Sequence, residues 1–470
     1  MTPSPAPDTT IAPARAGGNF RWIICTLLFF SVALNYIDRT ILGIMKDPLS
    51  QAFGWGEGDF SNIVAANQIA YAFGYLFNGW LMDKIGIKRG LPLAVLVWSL
   101  ASAAHGLCAV FLPAAGVVAD KAALWTFFTI PASVLGFMAC RVVLGLAQGA
   151  NFPAAIKCVA EWFPQKERSL ATGLFNTGSN IGAIVCAVAI PFLLRYVNWY
   201  SIFYITGALG VVWLIAWWFL YETPEKHKHL SASERAYILA GQPKPDAAPA
   251  APDPTLPQSE IRNPQSKITW LSLFAYRPVW AYVIAGILAG PVWNTYQYYM
   301  PDFLKTQFSL DLQSAGNWTG LFFILAIFGG IVGGWLAGWL LGKGWGVNAA
   351  RKVTMLVCAL AVVPIFLVPF VPAVWIAVVI FGLAGSAHQG WSANLFSFVS
   401  DTMPKQTIGA VVGLGGFVTY FTGGWMAKGI GLIKESTGSY SLVFDICALM
   451  YVISLLILHL LVPRIQQSRK

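Results

Sequence analysis

Residues 79–89 read Gly79-Trp80-Leu81-Met82-Asp83-Lys84-Ile85-Gly86-Ile87-Lys88-Arg89. Four of these eleven residues are charged, and they sit between apolar runs at 60–82 and 90–111. A helix needs about 20 predominantly apolar residues to cross a bilayer. The charged island therefore reads as a water-facing turn between two membrane spans. Gly79 and Gly86 lack a Cβ and permit a tight helix-to-helix turn. Asp83, Lys84 and Arg89 supply a conformational latch, because the acid can pair with basic groups and helix ends in one state and release them in another.

The same alternation runs outward through the whole chain. Of its 470 residues, 57% are hydrophobic and 11% charged, against about 45–50% and about 25% in a soluble domain. That is too little charge to cover a water-facing surface of this size, which excludes a soluble multi-domain enzyme. An outer-membrane barrel is excluded as well, because its strands alternate over roughly ten residues instead of running apolar for twenty. Spans are expected near 22–45, 60–82, 90–111, 124–150, 168–194, 200–221, 278–303, 316–341, 352–370, 373–398, 407–432 and 441–463, giving an all-α membrane protein of twelve transmembrane helices. The longest polar stretch, 223–277, ends in a Pro/Ala-rich linker too poor in hydrophobes to fold alone. Six spans precede it and six follow, the plan of a transporter made of two similar halves. The expected organisation is a disordered tail (1–20), an N-terminal half (21–222), a linker (223–277), a C-terminal half (278–463) and a short tail (464–470).

The net charge of +10 follows from orientation. Twenty-two of the thirty Lys and Arg fall in the termini and even-numbered loops, and six at the other face. By the positive-inside rule both termini are cytoplasmic, and the basic excess does not signal nucleic acid. The seven cysteines are scattered through apolar runs without metal-ligand spacing and read as packing residues. The five histidines form no metal site either, and Ser and Cys show no nucleophile–base arrangement. No enzyme, metal or cofactor is expected.

Charges inside spans cost about 2.5–3.5 kcal/mol each at a helix centre, which makes them functional candidates. The first span carries Tyr36, Asp38 and Arg39; the fourth carries Arg141 and, seven residues on, Gln148. Seven residues are close to two turns, so Arg141 and Gln148 share a face about 10 Å apart. Asp38 can neutralise one arginine in a buried pair, but not both. The surplus positive charge suits an anionic substrate, since a guanidinium grips a carboxylate bidentately. The second half lacks such charges. It offers Trp293, Tyr296 and Gln297 in the seventh span and His388, Gln389 and Asn394 in the tenth, hydrogen-bonding groups and flat aromatic walls suited to a hydroxylated ring. Gly330, Gly334, Gly338 and Gly342 form a ladder at every fourth position of the eighth span, a surface that lets helix backbones approach closely.

Residues 79–89 resemble the signature loop of the major facilitator superfamily, G-x-L-x-D-(R/K)-x-G-x-(R/K)-(R/K). The corresponding second-half loop, Gly334–Lys343, keeps the glycines and lacks the acid. The stretches LNYIDR (34–39), RVVLGLAQGANFPAAIK (141–157), EWFPQKERSLATGLFNTGSNIGA (161–183), YETPEKHKHLSASERAYI (221–238) and AHQGWSANLFSFVSD (387–401) are similar to the anion:cation symporter branch, and most resemble bacterial hexuronate transporters. The resemblance covers nearly the whole chain outside the N-terminal tail. It implies proton-coupled uptake of a sugar acid such as galacturonate or glucuronate by alternating access, across a bacterial cytoplasmic (inner) membrane, by a monomer. The partners it implies are the sugar acid, protons and the bilayer. Other organic anions, such as an aldonate, glucarate or an aromatic acid, are carried by related members, and a transporter-like ligand sensor is the alternative from another class. Position by position, the resemblance assigns proton exchange to Asp38, and contacts with the substrate or coupling network to Arg39 and Arg141. Tyr36 and Tyr71 match aromatic positions near the cavity, and His388, Gln389 and Asn394 match polar ones. Gln148 stands where the branch usually has a Glu, the second proton-responsive acid. Gln keeps the hydrogen bonding of a protonated Glu but cannot exchange a proton. One proton at most is therefore expected to accompany one monoanion.

Overall fold

The computed structural model of the chain describes residues 18–111, 131–164, 167–240, 273–403 and 408–465. Within the N-terminal half the helices are α1 (Phe20–Ile44), α2 (Lys46–Phe53), α3 (Glu57–Ile85), α4 (Ile87–Phe111), α5 (Ala132–Gln148), α6 (Asn151–Trp162), α7 (Arg168–Leu193) and α8 (Trp199–Leu220). The short α9 (Ala232–Ala240) lies in the linker. The C-terminal half contains α10 (Arg277–Gln307), α11 (Leu312–Gly342), α12 (Val347–Val362) with a 3-10 turn (Val363–Phe370), α13 (Val374–Thr402), α14 (Ile408–Thr437) and α15 (Ser441–Leu461). Each of the twelve expected spans coincides with one of these long helical units, and no strand occurs among the described residues.

Ten of the units are long and apolar enough to cross a membrane. The other two long helices, α3 and α10, span 29 and 31 residues and are more polar, because α3 buries Asn67 and Gln68 and α10 buries Asn294, Gln297 and Asp302 in the bundle. The fourth span differs from its sequence-based placement at 124–150. Its described part runs from Ala132 through a bend at Gly149–Ala150 to Trp162. Pro153, in the first turn of α6, cannot donate to the preceding turn, so the helix bends there and then resumes. Lys157, assigned to a loop by hydropathy, sits on α6, where its Nζ donates to the Met82 carbonyl (3.3 Å). Pro364 and Pro369 convert the end of the ninth span to 3-10 geometry.

The turn within 79–89 is tight, but Gly79 lies inside α3 and takes no part in it. α3 and α4 are separated by Gly86 alone, at φ +74°, a left-handed backbone that favours glycine. Lys88 beyond it forms an ion pair with Glu222, and Arg89 is exposed. The side chain of Asp83 lies outside the described residues. The start of the linker is folded. Arg21 is buried and donates to Glu167 (2.8 Å) and Glu234 (2.9 Å), tying α9 to the base of α1 and α7. The tail 1–17 and the Pro/Ala-rich stretch lie outside the described residues.

The halves meet where α3 packs on α14, α7 on α11 and α1 on α10. Small residues permit these contacts: a Cβ on Gly43 would come within 2.8 Å of the Gln297 carbonyl, and one on Gly316 within 2.1 Å of the Ala187 carbonyl. The glycine ladder of α11 behaves differently. Gly334, Gly338 and Gly342 have nothing within 4 Å of an added Cβ. Gly329 and Gly333, on another face, make the close approach instead, against Ser386 and Gly390 of α13.

Candidate functional site

Between the halves lies a cavity of about 260 Å³, close to the lower end of the roughly 300–1,000 Å³ usual for small-ligand sites. Tyr36, Tyr71, Tyr75, Asn151 and Asn176 line it from the first half; Trp293, Asn294, His388, Gln389, Ser392 and Tyr420 line it from the second. These residues come from the middle of each helix or from the part nearer the face that carries both termini.

The opposite face is closed by a buried charge lattice at the far ends of α1, α3, α10, α14 and α15. Lys46 Nζ donates to Asp302 (2.6 Å) and Glu57 (2.8 Å), and Lys434 Nζ donates to Asp302 (3.0 Å). The Tyr440 hydroxyl also donates to Asp302, and Lys305 pairs with Asp47. Lys46 and Glu57 belong to one half, Asp302, Lys434 and Tyr440 to the other. Hydropathy places the lysines at this face as loop charges; Glu57 lies 11 residues from Lys46, but the pairings across the two halves, Lys46 with Asp302 and Lys305 with Asp47, join residues more than 250 apart and carry no sequence signal.

The three intramembrane charges do not form the pair that the sequence allowed. Asp38 is buried and accepts from Ser102 Oγ (2.7 Å), which lies 3.0 Å from Thr206 Oγ1. Arg141 reaches only the Asp38 main-chain carbonyl (2.8 Å), leaving Nε and Nη2 without partners among the described residues. A single residue step explains the mismatch: consecutive residues point about 100° apart on a helix, so Asp38 faces α4 and α8 while Arg39 faces the second half. Arg39 sits in a cage of rings, 4.1 Å from the Tyr71 centroid, 5.0 Å from Tyr36 and 5.1 Å from Tyr420. Among the described residues its sole hydrogen bond goes to the Tyr420 hydroxyl (3.2 Å), and Nε and Nη2 are buried without partners. Cation–π contacts of this kind contribute about 0.5–2 kcal/mol each, which holds an unneutralised guanidinium in place without a carboxylate.

Gln148 is fully buried and joins α5 to α1. Its Nε2 donates to the Asn35 carbonyl (3.2 Å), and Asn35 Nδ2 donates back to the Gln148 carbonyl (3.3 Å). Its Oε1 has no partner among the described residues.

Of the second-half candidates, Trp293, His388 and Gln389 line the cavity. His388 stacks on Trp293 at 4.9 Å and 10°. Tyr296 and Gln297 lie off the cavity wall, fully buried. Tyr296 packs edge-on against Phe322 and Phe381, and both Gln297 amide atoms lack partners. Asn394 is also off the wall. Its Nδ2 donates to the Gly333 and Gly390 carbonyls (3.2 and 2.9 Å), and it accepts from Arg351 (3.4 Å), so it sits at the α11–α13 contact. Sequence reasoning missed Tyr75, Tyr420 and Ser102, which look like ordinary span residues until the helices are assembled. Among the described residues no group of three or more His, Cys, Asp or Glu is arranged to hold a metal ion.

The family model of the Major Facilitator Superfamily matches residues 28–427. The chain is 26% identical over 441 residues to the "Hexuronate transporter" of Escherichia coli (strain K12), covering 93% of each. It is 27% identical to the "Probable galactarate/D-glucarate transporter GudP" of Bacillus subtilis (strain 168), over 92% of this chain and 90% of that one. Among solved structures, a crystal structure of a D-xylose-proton symporter superposes with a TM-score of 0.70 at 14% identity, covering 94% of this chain and 97% of that one.

Proposed function

The chain belongs to the Major Facilitator Superfamily, a multi-pass membrane transporter and not an enzyme, and from that premise we propose that it takes up a hexuronate together with a proton. The observation that carries the proposal is Arg39, a buried guanidinium with no acidic partner, set behind the tyrosine wall of a cavity whose other wall is amide, imidazole and indole. A carboxylate reaches Arg39 by displacing the Tyr420 hydroxyl, its one hydrogen-bond partner. The sugar ring then lies against Trp293, with its hydroxyls toward His388, Gln389 and Asn294. Names of relatives support a sugar-acid substrate, since the two similar proteins above are called transporters of a hexuronate and of galactarate or glucarate.

Proton exchange falls to Asp38, the acid buried beside Ser102 and the Arg141-bound stretch of α1. Gln148 cannot exchange a proton, so one proton accompanies one monoanion and net transport is electroneutral. The positive-inside bias puts both termini in the cytoplasm of a bacterium. The cavity then belongs to an inward-facing state, with the charge lattice as the closed periplasmic gate. Alternating access requires only that substrate and proton shift the balance between two such states.

The test is counterflow in proteoliposomes against a panel of hexuronate, aldarate, aldonate and a hydroxyl-free aromatic acid, together with net uptake with and without an imposed potential. Counterflow of the hexuronate ahead of the others, with net uptake unaffected by potential, is the expected result. Preference for a dicarboxylate sugar acid would favour the galactarate/glucarate reading. Exchange of none would leave a ligand sensor, and strong stimulation by an inside-negative potential would sink electroneutrality.

A further inference from the structure

His388 meets the cavity with one ring nitrogen and the core with the other. On the core side, Nδ1 lies 2.5 Å from the hydroxyl of Tyr451, a fully buried residue of α15 that does not line the cavity. On the cavity side, Nε2 lies 3.4 Å from Ser392 Oγ, and both residues are part of the wall. The Tyr451 hydroxyl has a single proton, and it donates to the Ala289 main-chain carbonyl of α10 at 3.2 Å. When the carbonyl takes that proton, the tyrosine oxygen is left as an acceptor for an N–H at His388 Nδ1. A neutral imidazole carries one N–H and one lone pair, and the partner of the first nitrogen decides the role of the second.

We propose that Tyr451 is a positioning residue that holds His388 as the Nδ1–H tautomer, so that Nε2 faces the cavity as a hydrogen-bond acceptor for a substrate hydroxyl. The stack on Trp293 fixes the ring plane. The chemistry of the rest of the site makes such an acceptor useful. Arg39 offers only donors, which suit a carboxylate, whereas a sugar hydroxyl that donates needs an acceptor across the cavity. A site built to accept from a hydroxyl leaves its own lone pair unpaired when the hydroxyl is missing, and so discriminates against the deoxy analogue. This inference rests on the sugar-acid reading and names the group in the same cavity that selects for a hydroxylated ring.

Two measurements decide it. In purified protein with ¹⁵N-labelled histidine and no substrate, NMR reports which nitrogen of His388 is protonated, the signal being assigned by its loss in His388→Asn. Nδ1–H in the wild type, shifting toward Nε2–H in Tyr451→Phe, is expected; Nε2–H in the wild type overturns the proposal. In proteoliposomes, Tyr451→Phe is expected to raise the KM for the hexuronate about tenfold, the scale of one lost hydrogen bond. The maximal rate and the KM for a ring-deoxygenated acid should change little. An equal loss for both substrates, or no change in either, identifies Tyr451 as a packing residue and overturns its role in selection. If the wild type carries no sugar acid at all, the functional reading fails, while the substrate-free tautomer measurement still decides whether Tyr451 sets His388.

Discussion

Arg39 and Gln148 show how much one side chain decides in this cavity. Arg39 combines a cation–π contact with Tyr71 and a fork of donors, two of them buried and unused among the described residues. Lysine keeps the charge and loses both the plane and the fork. Arg39→Lys is therefore expected to weaken hexuronate binding by roughly ten- to a hundredfold, the range for a lost hydrogen bond to a charged group, measured by titration of purified protein. Unchanged affinity would remove Arg39 from the site. At Gln148 the issue is a donor. Its amide N–H reaches the Asn35 carbonyl at 3.2 Å; a Glu there can supply that proton only when protonated, and its carboxylate would face a carbonyl oxygen. Gln148→Glu should hold the α1–α5 contact at low pH and loosen it at high pH. Uptake rates of the variant are expected to vary more steeply than wild type between about pH 5 and pH 8. Superimposable pH profiles would show that position 148 has no part in coupling.

At the scale of elements, α11 separates two uses of glycine that look alike in sequence. Gly329 and Gly333 hold α11 against α13, where any Cβ would meet backbone. Gly334 and Gly338, one residue out of phase, meet nothing, and they lie on the half of α11 nearer the terminal face. At the other end of the same helix, Gly316 already lets α11 approach α7. The open glycines are thus free to make a matching approach when the terminal face closes. Gly338→Val adds a Cβ that meets nothing within 4 Å in the present state and removes a poor helix former; Gly is about 1 kcal/mol worse than Ala in a helix interior. The variant should keep or slightly gain thermal stability and lose at least about tenfold in transport rate. Wild-type transport by Gly338→Val would show that this face never closes on a neighbour.

Across the whole molecule, the state observed depends on the lattice around Asp302. Two lysines and a tyrosine from both halves converge on its carboxylate, and it is only 5% exposed. Breaking a buried pair by removing one partner costs about 3–5 kcal/mol, and here the cost falls on the state in which the halves touch at this face. Asp302→Asn should shift the population toward the state open there by at least tenfold, about 1.4 kcal/mol. Spin labels at Gln51 and Ser436, both exposed at this face and in opposite halves, would report longer distances. Distances equal to wild type would mean that the lattice is not the gate.

Hydropathy alone determined the twelve helical units, the tight turn at Gly86 and the charges placed where charge is costly. These properties are local, because a stretch of about twenty apolar residues or a single obligatory glycine is judged within its own neighbourhood. Which charges meet was decided only by the packed bundle. Asp38 and Arg39 are neighbours in sequence yet face different helices, and Lys46 finds its carboxylate 256 residues away. The rotation of each helix about its axis fixes such pairings, and that rotation follows from the close approaches of α1, α3, α7, α10, α11 and α14, to which both halves contribute. The sequence therefore identified the arginines as candidates for an anion site, and the tertiary structure decided that Arg39 stands unpaired beside the cavity, behind Tyr36, Tyr71 and Tyr420.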